Sequence, residues 1–452
     1  MHDPMFAFDT KLADLVFDYC RERLSLDPVP LDFGGAGARF DEVLAGLIAE
    51  GRKDPAAVLR VFTEQLATSV VSVDSPRFLA FIPAAPTKAA LLFDMVVSCS
   101  SLQGTSWLEA AGAIAAENQA LGVLAELAGL PPGAGGCFVS GGTAGNLSAL
   151  LVAREQGRAR PAGVAGTPRV ACSDEAHSSI GKALLVLGLE PLVVPTSGHR
   201  LTGDALGSAL AGLSPSELPV AVVATAGTTN AGFVDDLAGV AAVARAEGLW
   251  FHVDAAYGGA ALFSPSERAR LSGIEHADSF IVDPHKWLFA PFDCAALLYA
   301  DPPAARAVHT QSAAYLDPIH AVGEVQWNPS DYAIHLTRRA RGLPFWFSLA
   351  VNGTAAYADA IDEVVATARA AARLVDAAPH LELVCEPDLS IVLFRRLGWE
   401  RRDYEAWAAR LLAAQVAFVL PTTFEGESVA RLVFLHPDTG LDIVNEILGS
   451  TA

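Results

Sequence analysis

One lysine, Lys286, stands in a setting that is unusual for a surface cation. A β-type run, 280–282, precedes it closely, and large apolar residues follow it. Burial is costly for an ammonium group unless the amine is neutralised or used in chemistry. Only five of the 31 basic residues are lysines, and lysine can form a Schiff base whereas arginine cannot. The pattern predicts a Schiff-base lysine with His285 beside it; a lysine that ends a strand and points into water is the alternative.

A glycine-rich turn, Ser140-Gly141-Gly142-Thr143-Ala144-Gly145-Asn146, follows a predicted strand and opens a predicted helix. Small residues allow backbone N–H groups to approach a phosphate, and the start of a helix adds partial positive charge. Thr143 also has a hydroxyl to donate. The turn therefore predicts a phosphate site, and the alternative is a tight turn capped by Thr143.

Two more polar residues follow predicted strands, His177 and Asp254. The imidazole of His177 can stack on a planar ring. A buried Asp254 requires a cationic partner, and a protonated pyridine nitrogen is one candidate. A structural histidine, and an aspartate paired with an arginine or with backbone amides, are the alternatives. Combined with the glycine-rich turn and Lys286, these groups are the set that pyridoxal phosphate requires, and all lie where strands end.

These groups need a scaffold that brings strand ends together. Strand-like runs and helical stretches alternate between residues 136 and 299, which predicts an α/β fold with a mostly parallel seven-stranded sheet. Ligand sites of such sheets lie at the carboxyl ends of the strands. The predicted strands are 137–139, 169–173, 191–195, 220–224, 249–253, 279–282 and 295–299, and the predicted helices are 143–156, 178–187, 203–213 and 237–247.

The flanking regions have different patterns. Helices are predicted over 11–24, 40–50, 54–71, 87–99 and 110–128 on one side, and over 349–377 and 403–413 on the other, with short strands over 381–384, 391–394 and 430–435. We therefore predict an N-terminal helical arm (1–85), a large cofactor-binding domain (86–345) and a small α+β C-terminal domain (346–452). Because the arm lacks an obvious core, it is expected to pack on a second subunit.

The amino-acid composition indicates which partners the protein can bind and in which cellular compartment it is expected. The net charge of −20 argues against nucleic acid, whose backbone is also negative. The six cysteines are widely separated and show no C-x-x-C spacing, so we expect reduced thiols and no metal site. No apolar run of about 18 residues and no basic leader segment are apparent, which predicts a cytoplasmic protein that does not bind membranes.

The motifs above, together with Ser75-Pro76-Arg77-Phe78 and the segment 252–259, make the chain resemble the group II pyridoxal-phosphate-dependent amino-acid decarboxylases, the family that includes the aromatic-L-amino-acid decarboxylases. The resemblance extends from about residue 75 to residue 435. It implies the fold-type I architecture of aspartate aminotransferase, pyridoxal 5'-phosphate as cofactor and a homodimer with sites at the subunit interface. The implied activity converts an L-amino acid into an amine and carbon dioxide.

The resemblance also assigns roles to single residues. Lys286, His177 and Asp254 would be catalytic: Lys286 forms the Schiff base, His177 stacks on the pyridine ring and Asp254 keeps the ring nitrogen protonated. The glycine-rich turn and His285 would hold the phosphate. The complete set of implied cofactor contacts is Gly142, Thr143, His177, Thr225, Asp254, Ala256, His285 and Lys286.

For the substrate, we expect an aromatic or other apolar side chain. The predicted pocket residues are Phe81, Pro83, Thr105, Trp107 and Arg431, although an ordinary core role is equally open for the aromatic ones. We also expect the loop over residues 310–335 to be mobile and to close over the site.

Departures from the family leave the reaction open. Pro329 stands near the position of a loop tyrosine that animal members use for protonation, Tyr332 replaces a tryptophan, and Thr105 replaces a phenylalanine common in aromatic-specific members. The alternatives are therefore an oxygen-dependent aldehyde synthase, another pyridoxal-phosphate lyase or an aminotransferase, and a cofactor-binding protein without catalysis.

Overall fold

The computed structural model describes residues 5–32, 40–82, 85–158, 166–320 and 326–452. Its N-terminal helices are α1 (Thr10–Leu24), α2 (Phe40–Leu44), α3 (Pro55–Val61), α4 (Lys88–Cys99) and α5 (Trp107–Leu127). No residue of α1, α2 or α3 is buried. The helix predicted over 40–50 ends at Leu44, and Gly46 nearby has a left-handed φ of 69°, which favours glycine and interrupts a helix. The helix predicted over 54–71 changes after Val61 into a π turn.

A seven-stranded sheet carries the centre of the molecule. Its strands are β1 (Gly135–Val139), β2 (Thr167–Ser173), β3 (Glu190–Val194), β4 (Glu217–Thr225), β5 (Trp250–Asp254), β6 (Ser279–Val282) and β7 (Ala295–Tyr299), in the order β1-β7-β6-β5-β4-β2-β3. All neighbouring pairs are parallel except the two that involve β7. The predicted mostly parallel seven-stranded sheet is confirmed.

The inner strands are buried along most of their length because both faces of the sheet are covered. Val222, Val253 and Ile281 are fully buried on three adjacent strands, as expected where helices pack on both sides. The helices between the strands are α6 (Gly142–Arg158), α7 (Ser178–Leu187), α8 (Gly203–Ala211) and α9 (Leu237–Glu247). Gly188 and Gly248, both left-handed, end α7 and α9 and so return the chain to the sheet.

The C-terminal part combines helices with a four-stranded antiparallel sheet. Its elements are α10 (Pro302–His309), α11 (Leu343–Ala377), β8 (Leu381–Leu383), β9 (Ile391–Arg396), α12 (Arg401–Ala413), β10 (Thr422–Phe424), β11 (Glu427–Val433) and α13 (Leu441–Gly449), with strand order β10-β11-β9-β8. The sequence patterns missed α10, β10 and α13. Within the predicted loop 310–335, residues 321–325 lie outside the described part of the chain. No helix among the described residues is long and apolar enough to cross a bilayer.

A buried ion pair joins α5 to the segment that leads into α11. Arg338 donates from Nη2 to Glu117 Oε1 (2.7 Å) and from Nη1 to Glu117 Oε2 (2.8 Å), and the side chains are 1% and 2% exposed. The Gly342 N–H also donates to Glu117 Oε1 (2.8 Å). Both terminal nitrogens of Arg338 and both carboxylate oxygens of Glu117 therefore take part in charge-assisted hydrogen bonds.

Replacing Glu117 by glutamine is expected to lower the free energy of unfolding by about 3–5 kcal/mol, because the Arg338 cation then remains buried without its counter-charge. Urea unfolding measures the change. The control is Arg401→Ala, which removes the exposed α12 pair with Glu405 and should cost less than about 0.5 kcal/mol. Similar losses in the two variants would contradict the prediction.

A histidine ties the loop after β2 to the β10–β11 hairpin. His199 Nδ1 lies 2.9 Å from Glu175 Oε1, and its Nε2 lies 3.1 Å from Glu425 Oε1. Partial burial opposes protonation, but the hydrogen bonds and charges of the two glutamates outweigh it and raise the pKa of His199 above its ordinary value. Since Glu175 is two residues from His177, this contact also anchors the His177 loop.

His199→Gln is expected to destabilise the protein in mild acid much more than in alkali. The raised folded-state pKa means that protonated His199 stabilises the folded chain fully below the ordinary pKa near ~6.5. That contribution disappears as the pH rises through the folded-state pKa. Unfolding in urea at pH ~5.5 and pH ~9 tests the difference, with His276→Gln as the control. Equal destabilisation at both pH values would contradict a stabilising role for protonated His199.

Candidate active site

The carboxyl ends of β4, β5 and β6 and the start of α6 surround a cavity of about 260 Å³. The cavity is lined by all eight residues that the sequence predicts as cofactor contacts: Gly142, Thr143, His177, Thr225, Asp254, Ala256, His285 and Lys286. A larger cleft, of about 800 Å³, lies between the arm and the C-terminal elements and contains none of them. The side chains that could take part in catalysis or bind a cofactor therefore meet in the smaller cavity.

Lys286 directs its ammonium group into this cavity. Its Nζ lies 3.0 Å from Asp283 Oδ2, and the next two residues, Trp287 and Leu288, are fully buried. The Lys286 N–H donates to the Asp283 carbonyl (2.8 Å) and closes the turn that presents the amine. The sequence patterns assigned no role to Asp283, although its position three residues before Lys286 was an available signal.

Asp254, at the end of β5, is buried with two hydrogen-bond donors. Its Oδ1 accepts from the Ala256 N–H (3.1 Å), and its Oδ2 accepts from Asn146 Nδ2 (2.9 Å). Both donors stabilise negative charge on the carboxylate. The partners within the chain are thus amides, and the carboxylate borders the cavity. Asn146 is a second site residue that the sequence analysis missed, although it belongs to the glycine-rich motif.

Asn146 reaches β5 because α6 packs closely against β6. A Cβ atom added at Gly145 would lie 2.3 Å from Ile281 Cδ1, so a larger residue there would force the Ile281 side chain to move. Gly142, one turn earlier, is also closely packed. At Gly142, an added Cβ would lie 3.1 Å from Asp283 Oδ2 and 3.3 Å from Ala256 Cβ. The glycines of the motif therefore set the position of the helix start against the cavity.

His177 and Thr225 come from neighbouring strand ends. His177 Nδ1 accepts the Ser179 N–H (3.2 Å) and lies 2.8 Å from Ser179 Oγ, which fixes the imidazole at the start of α7. The Thr225 N–H donates to Asp235 Oδ2 (2.7 Å). The Thr225 hydroxyl is buried at the cavity wall and finds no hydrogen-bond partner among the described residues, as expected for a group that contacts a ligand.

His285 stands beside the start of α6. Its Nδ1 accepts the Cys294 N–H (2.9 Å), so a neutral ring carries its hydrogen on Nε2, which lies 3.6 Å from Asp283 Oδ2. Burial and the nearby Lys286 charge lower the pKa of His285, with only partial compensation from Asp283. A neutral His285 can therefore offer an N–H donor beside the helix start.

The residues present fit pyridoxal phosphate. An aldehyde requires an amine, which Lys286 supplies, and a ring nitrogen requires a carboxylate, which Asp254 supplies. The side-chain-free Gly142 at the start of α6 and the Nε2–H of His285 suit a phosphate. The unpartnered Thr225 hydroxyl is a further group at the wall that a ligand would satisfy.

Of the residues predicted for the substrate pocket, those that the structure describes do not line this cavity in the single chain. Phe81 is 58% exposed and packs near Phe418, whereas Pro83 lies outside the described residues. Thr105 is buried, and its carbonyl accepts the Ser330 N–H (3.3 Å). The Trp107 N–H donates to Asn328 Oδ1 (2.9 Å). The loop before α5 therefore packs on residues 328–330 and not on the cavity.

Arg431 lies nearer to the cavity than these residues. Its Nη2 donates to the carbonyl of Thr229 (2.6 Å), which lines the cavity. Burial lowers the pKa of Arg431 to about 10. It has no carboxylate partner within ion-pair distance among the described residues. Arg431 thus stands behind the cavity wall without lining it.

The loop residues that depart from the family pattern are also away from the cavity of this chain. Pro329 and Tyr332 are buried, and Tyr332 stacks on Trp327 with ring centroids 4.4 Å apart. The Tyr332 carbonyl accepts the Tyr299 hydroxyl (3.1 Å). Burial raises the pKa of Tyr332 above its ordinary value. Neither residue lines the cavity that holds Lys286.

Comparison with known proteins agrees with this geometry. Residues 49–397 match the pyridoxal-dependent decarboxylase conserved domain. The chain is 34% identical to an aromatic-L-amino-acid decarboxylase of Bacillus atrophaeus (89% of this chain, 85% of the relative). It is 35% identical to an L-2,4-diaminobutyrate decarboxylase of Rhizobium meliloti (84% and 78%). The crystal structure of Oryza sativa TDC with PLP and tryptamine superposes with a TM-score of 0.88 at 26% identity, covering 100% of this chain and 99% of that one.

The domain match spans most of the chain, and the two relatives cover more than four fifths of it. Sheet topology, cavity and family match agree on one class of enzyme. The chain therefore belongs to the pyridoxal-dependent decarboxylase family, lyases that act on amino acids with pyridoxal phosphate as cofactor.

Proposed function

We propose that this enzyme decarboxylates an L-amino acid with an aromatic or other apolar side chain and releases the amine and carbon dioxide. The observation that carries the proposal is the meeting of the Lys286 amine, the Asp254 carboxylate and the His177 imidazole in one cavity. Bound pyridoxal phosphate supplies a protonated ring that accepts the electrons left when the carboxylate departs.

Each residue would then have a defined task. Lys286 would hold the cofactor through its amine, and Asp283, 3.0 Å away, would orient that amine. Asp254 would keep a proton on the ring nitrogen, and His177 would pack on the ring. The remaining contacts would come from Gly142, Thr143 and His285 at the phosphate and from Thr225 and Ala256 at the ring.

The charges in the cavity favour a neutral substrate side chain. Among the described residues that line it, the carboxylates are Asp254 and Asp283, and both already have donors. Lys286 is the one lysine or arginine in this lining. Phe292 presents a 54% exposed ring beside His285, with ring centroids 5.0 Å apart. Lys286 and Asp283 already pair with each other in this lining, so a charged substrate side chain would have to compete for them, whereas the Phe292 ring beside His285 offers an apolar surface.

A second candidate function is an oxygen-dependent aldehyde synthase. Pro329 has no hydrogen-bonding side-chain proton, and it stands near the family position of the loop tyrosine. Without that proton donor, the enzyme would instead consume oxygen and water together with the amino acid and would release carbon dioxide, aldehyde, ammonia and hydrogen peroxide.

Lys286→Ala is expected to abolish the visible absorbance of lysine-bound cofactor and to abolish turnover, because no other amine in the described cavity lining can replace Lys286. Lys182→Ala, an exposed lysine on α7, is the matched control and should retain both. A visible band that survives in Lys286→Ala would refute the assignment of this lysine.

The reaction and the substrate class are tested by product analysis. Purified wild type is mixed with L-tryptophan, L-tyrosine, L-phenylalanine, L-glutamate or L-2,4-diaminobutyrate, in air and under nitrogen. The proposal predicts amine and carbon dioxide from an aromatic substrate in both atmospheres. Aldehyde and peroxide in air alone would identify the synthase instead. Turnover restricted to diaminobutyrate would contradict the proposed side-chain class.

The arm supports a homodimer. Leu15, Phe17, Ile48 and Phe62 are large apolar residues in a region whose helices bury nothing, and each is more than 40% exposed. Exposed apolar clusters of this kind mark protein interfaces, and a second copy of the chain is the occupant we propose. The subunit interface would also bring further residues to the site.

Sedimentation of the wild type is expected to give twice the chain mass, and Phe17→Glu with Phe62→Glu is expected to shift it toward the monomer, because two carboxylates cannot be buried in an apolar contact. Leu185→Glu changes an apolar residue on α7 that is more exposed than Phe17 and Phe62 and should leave the dimer intact. A wild-type monomer at micromolar concentration would contradict the proposal.

We also propose a cytoplasmic location. All six cysteines are free thiols, and three of them, Cys137, Cys172 and Cys294, are buried. Reduced, buried thiols are typical of proteins from reducing compartments.

A further inference from the structure

Asn146 contacts three elements of the site through one side chain. It is 1% exposed and lies one turn after Gly142 on α6. Its Nδ2 lies 2.9 Å from Asp254 Oδ2 and 2.9 Å from Ser179 Oγ. Its Oδ1 lies 2.9 Å from His252 Nε2. Both amide hydrogens and the amide oxygen are therefore used.

The direction of each hydrogen bond follows from Asp254. A carboxylate only accepts, so the amide nitrogen of Asn146 must face it and the amide oxygen must face His252. His252 Nε2 therefore carries a hydrogen. Burial lowers the pKa of His252 to about 4, so the ring is neutral, and its Nδ1 accepts from Ser279 Oγ (2.8 Å).

The second amide hydrogen extends the network to His177. Because Ser179 Oγ accepts from Asn146, its own hydrogen is free to donate to His177 Nδ1 (2.8 Å). The Ser179 N–H donates to the same nitrogen (3.2 Å). His177 Nδ1 accepts both, so a neutral ring holds its hydrogen on Nε2. One amide thus links the carboxylate to the stacking imidazole.

We infer that Asn146 is a positioning residue for the reaction: it holds the Asp254 carboxylate toward the cofactor ring nitrogen and couples it to His177. The inference rests on the proposed roles of Asp254 and His177. Loss of the amide would leave Asp254 with the Ala256 N–H as its one remaining hydrogen-bond donor in the described chain, and would leave the buried His252 N–H without an acceptor. Asparagine is suited to this position because it supplies two donors and one acceptor.

The test compares the binding of two ligands and does not depend on turnover. The first is pyridoxal phosphate, and the second is its analogue in which a C–H group replaces the ring nitrogen. Wild type should bind the first more tightly, because Asp254 pairs with a protonated nitrogen but faces an apolar C–H in the second. Asn146→Leu should lower the affinity for pyridoxal phosphate by about tenfold or more, which is the scale of an outer-shell hydrogen bond. It should lower the affinity for the analogue much less.

Ser148→Ala is the matched control. Ser148 is a buried polar residue on the same helix, its Oγ donates to the Ala144 carbonyl, and it does not line the cavity. It should leave the preference between the two ligands unchanged. If Asn146→Leu lowers the affinity for both ligands equally, the role of Asn146 is structural and the inference is overturned. If wild type itself does not distinguish the ligands, the proposed role of Asp254 fails, which separates that failure from a failure at Asn146.

Asn146→Asp provides a second variant in case the leucine protein does not fold. It keeps the side-chain volume and an acceptor for His252 but places a carboxylate against Asp254. Two carboxylates at this distance cannot both be ionised easily, so one proton is shared between them at low pH. Affinity for pyridoxal phosphate should therefore recover toward wild type as the pH falls. A pH profile parallel to that of wild type would contradict the coupling.

Discussion

The buried carboxylate of Asp254 is the constraint on which the rest of the site depends. A charge removed from water destabilises the fold unless donors or a cation compensate for it. The chain supplies two amide donors, from Ala256 and Asn146. The carboxylate also borders the cavity, where a protonated ring nitrogen would complete its pairing. Gly145 serves the same end, because it allows α6 to approach β6 closely enough for Asn146 to reach β5.

The cavity also contains few positively charged groups. Lys286 is the one lysine or arginine among the described residues that line the cavity, and it faces Asp283. Burial keeps His285 neutral by lowering its pKa. A phosphate here would therefore depend on N–H donors at the start of α6 and on His285, with a single ammonium nearby. Such a site binds an anion mainly through oriented dipoles.

Overall similarity to relatives does not distinguish the possible substrates. Relatives named for aromatic amino acids and for diaminobutyrate have nearly equal identity to this chain. Phe81, Thr105 and Trp107 lie outside the cavity of the single chain. In the homodimer proposed above, residues of this kind would reach a site only across the subunit interface. This arrangement would let specificity change while the cofactor site stays the same.

The sequence by itself determined the strands of the seven-stranded sheet, the order of the polar groups at their ends and the class of cofactor. Such features are local: β6, α7 and α9 have the bounds that apolar runs and terminal glycines predict, and motifs around Lys286 and Asp254 are contiguous. Only the tertiary structure revealed Asn146 as a partner of Asp254, because that contact depends on how α6 packs against the sheet. The positions of Phe81 and Trp107 were likewise decided by packing between segments distant in sequence, which no local pattern encodes.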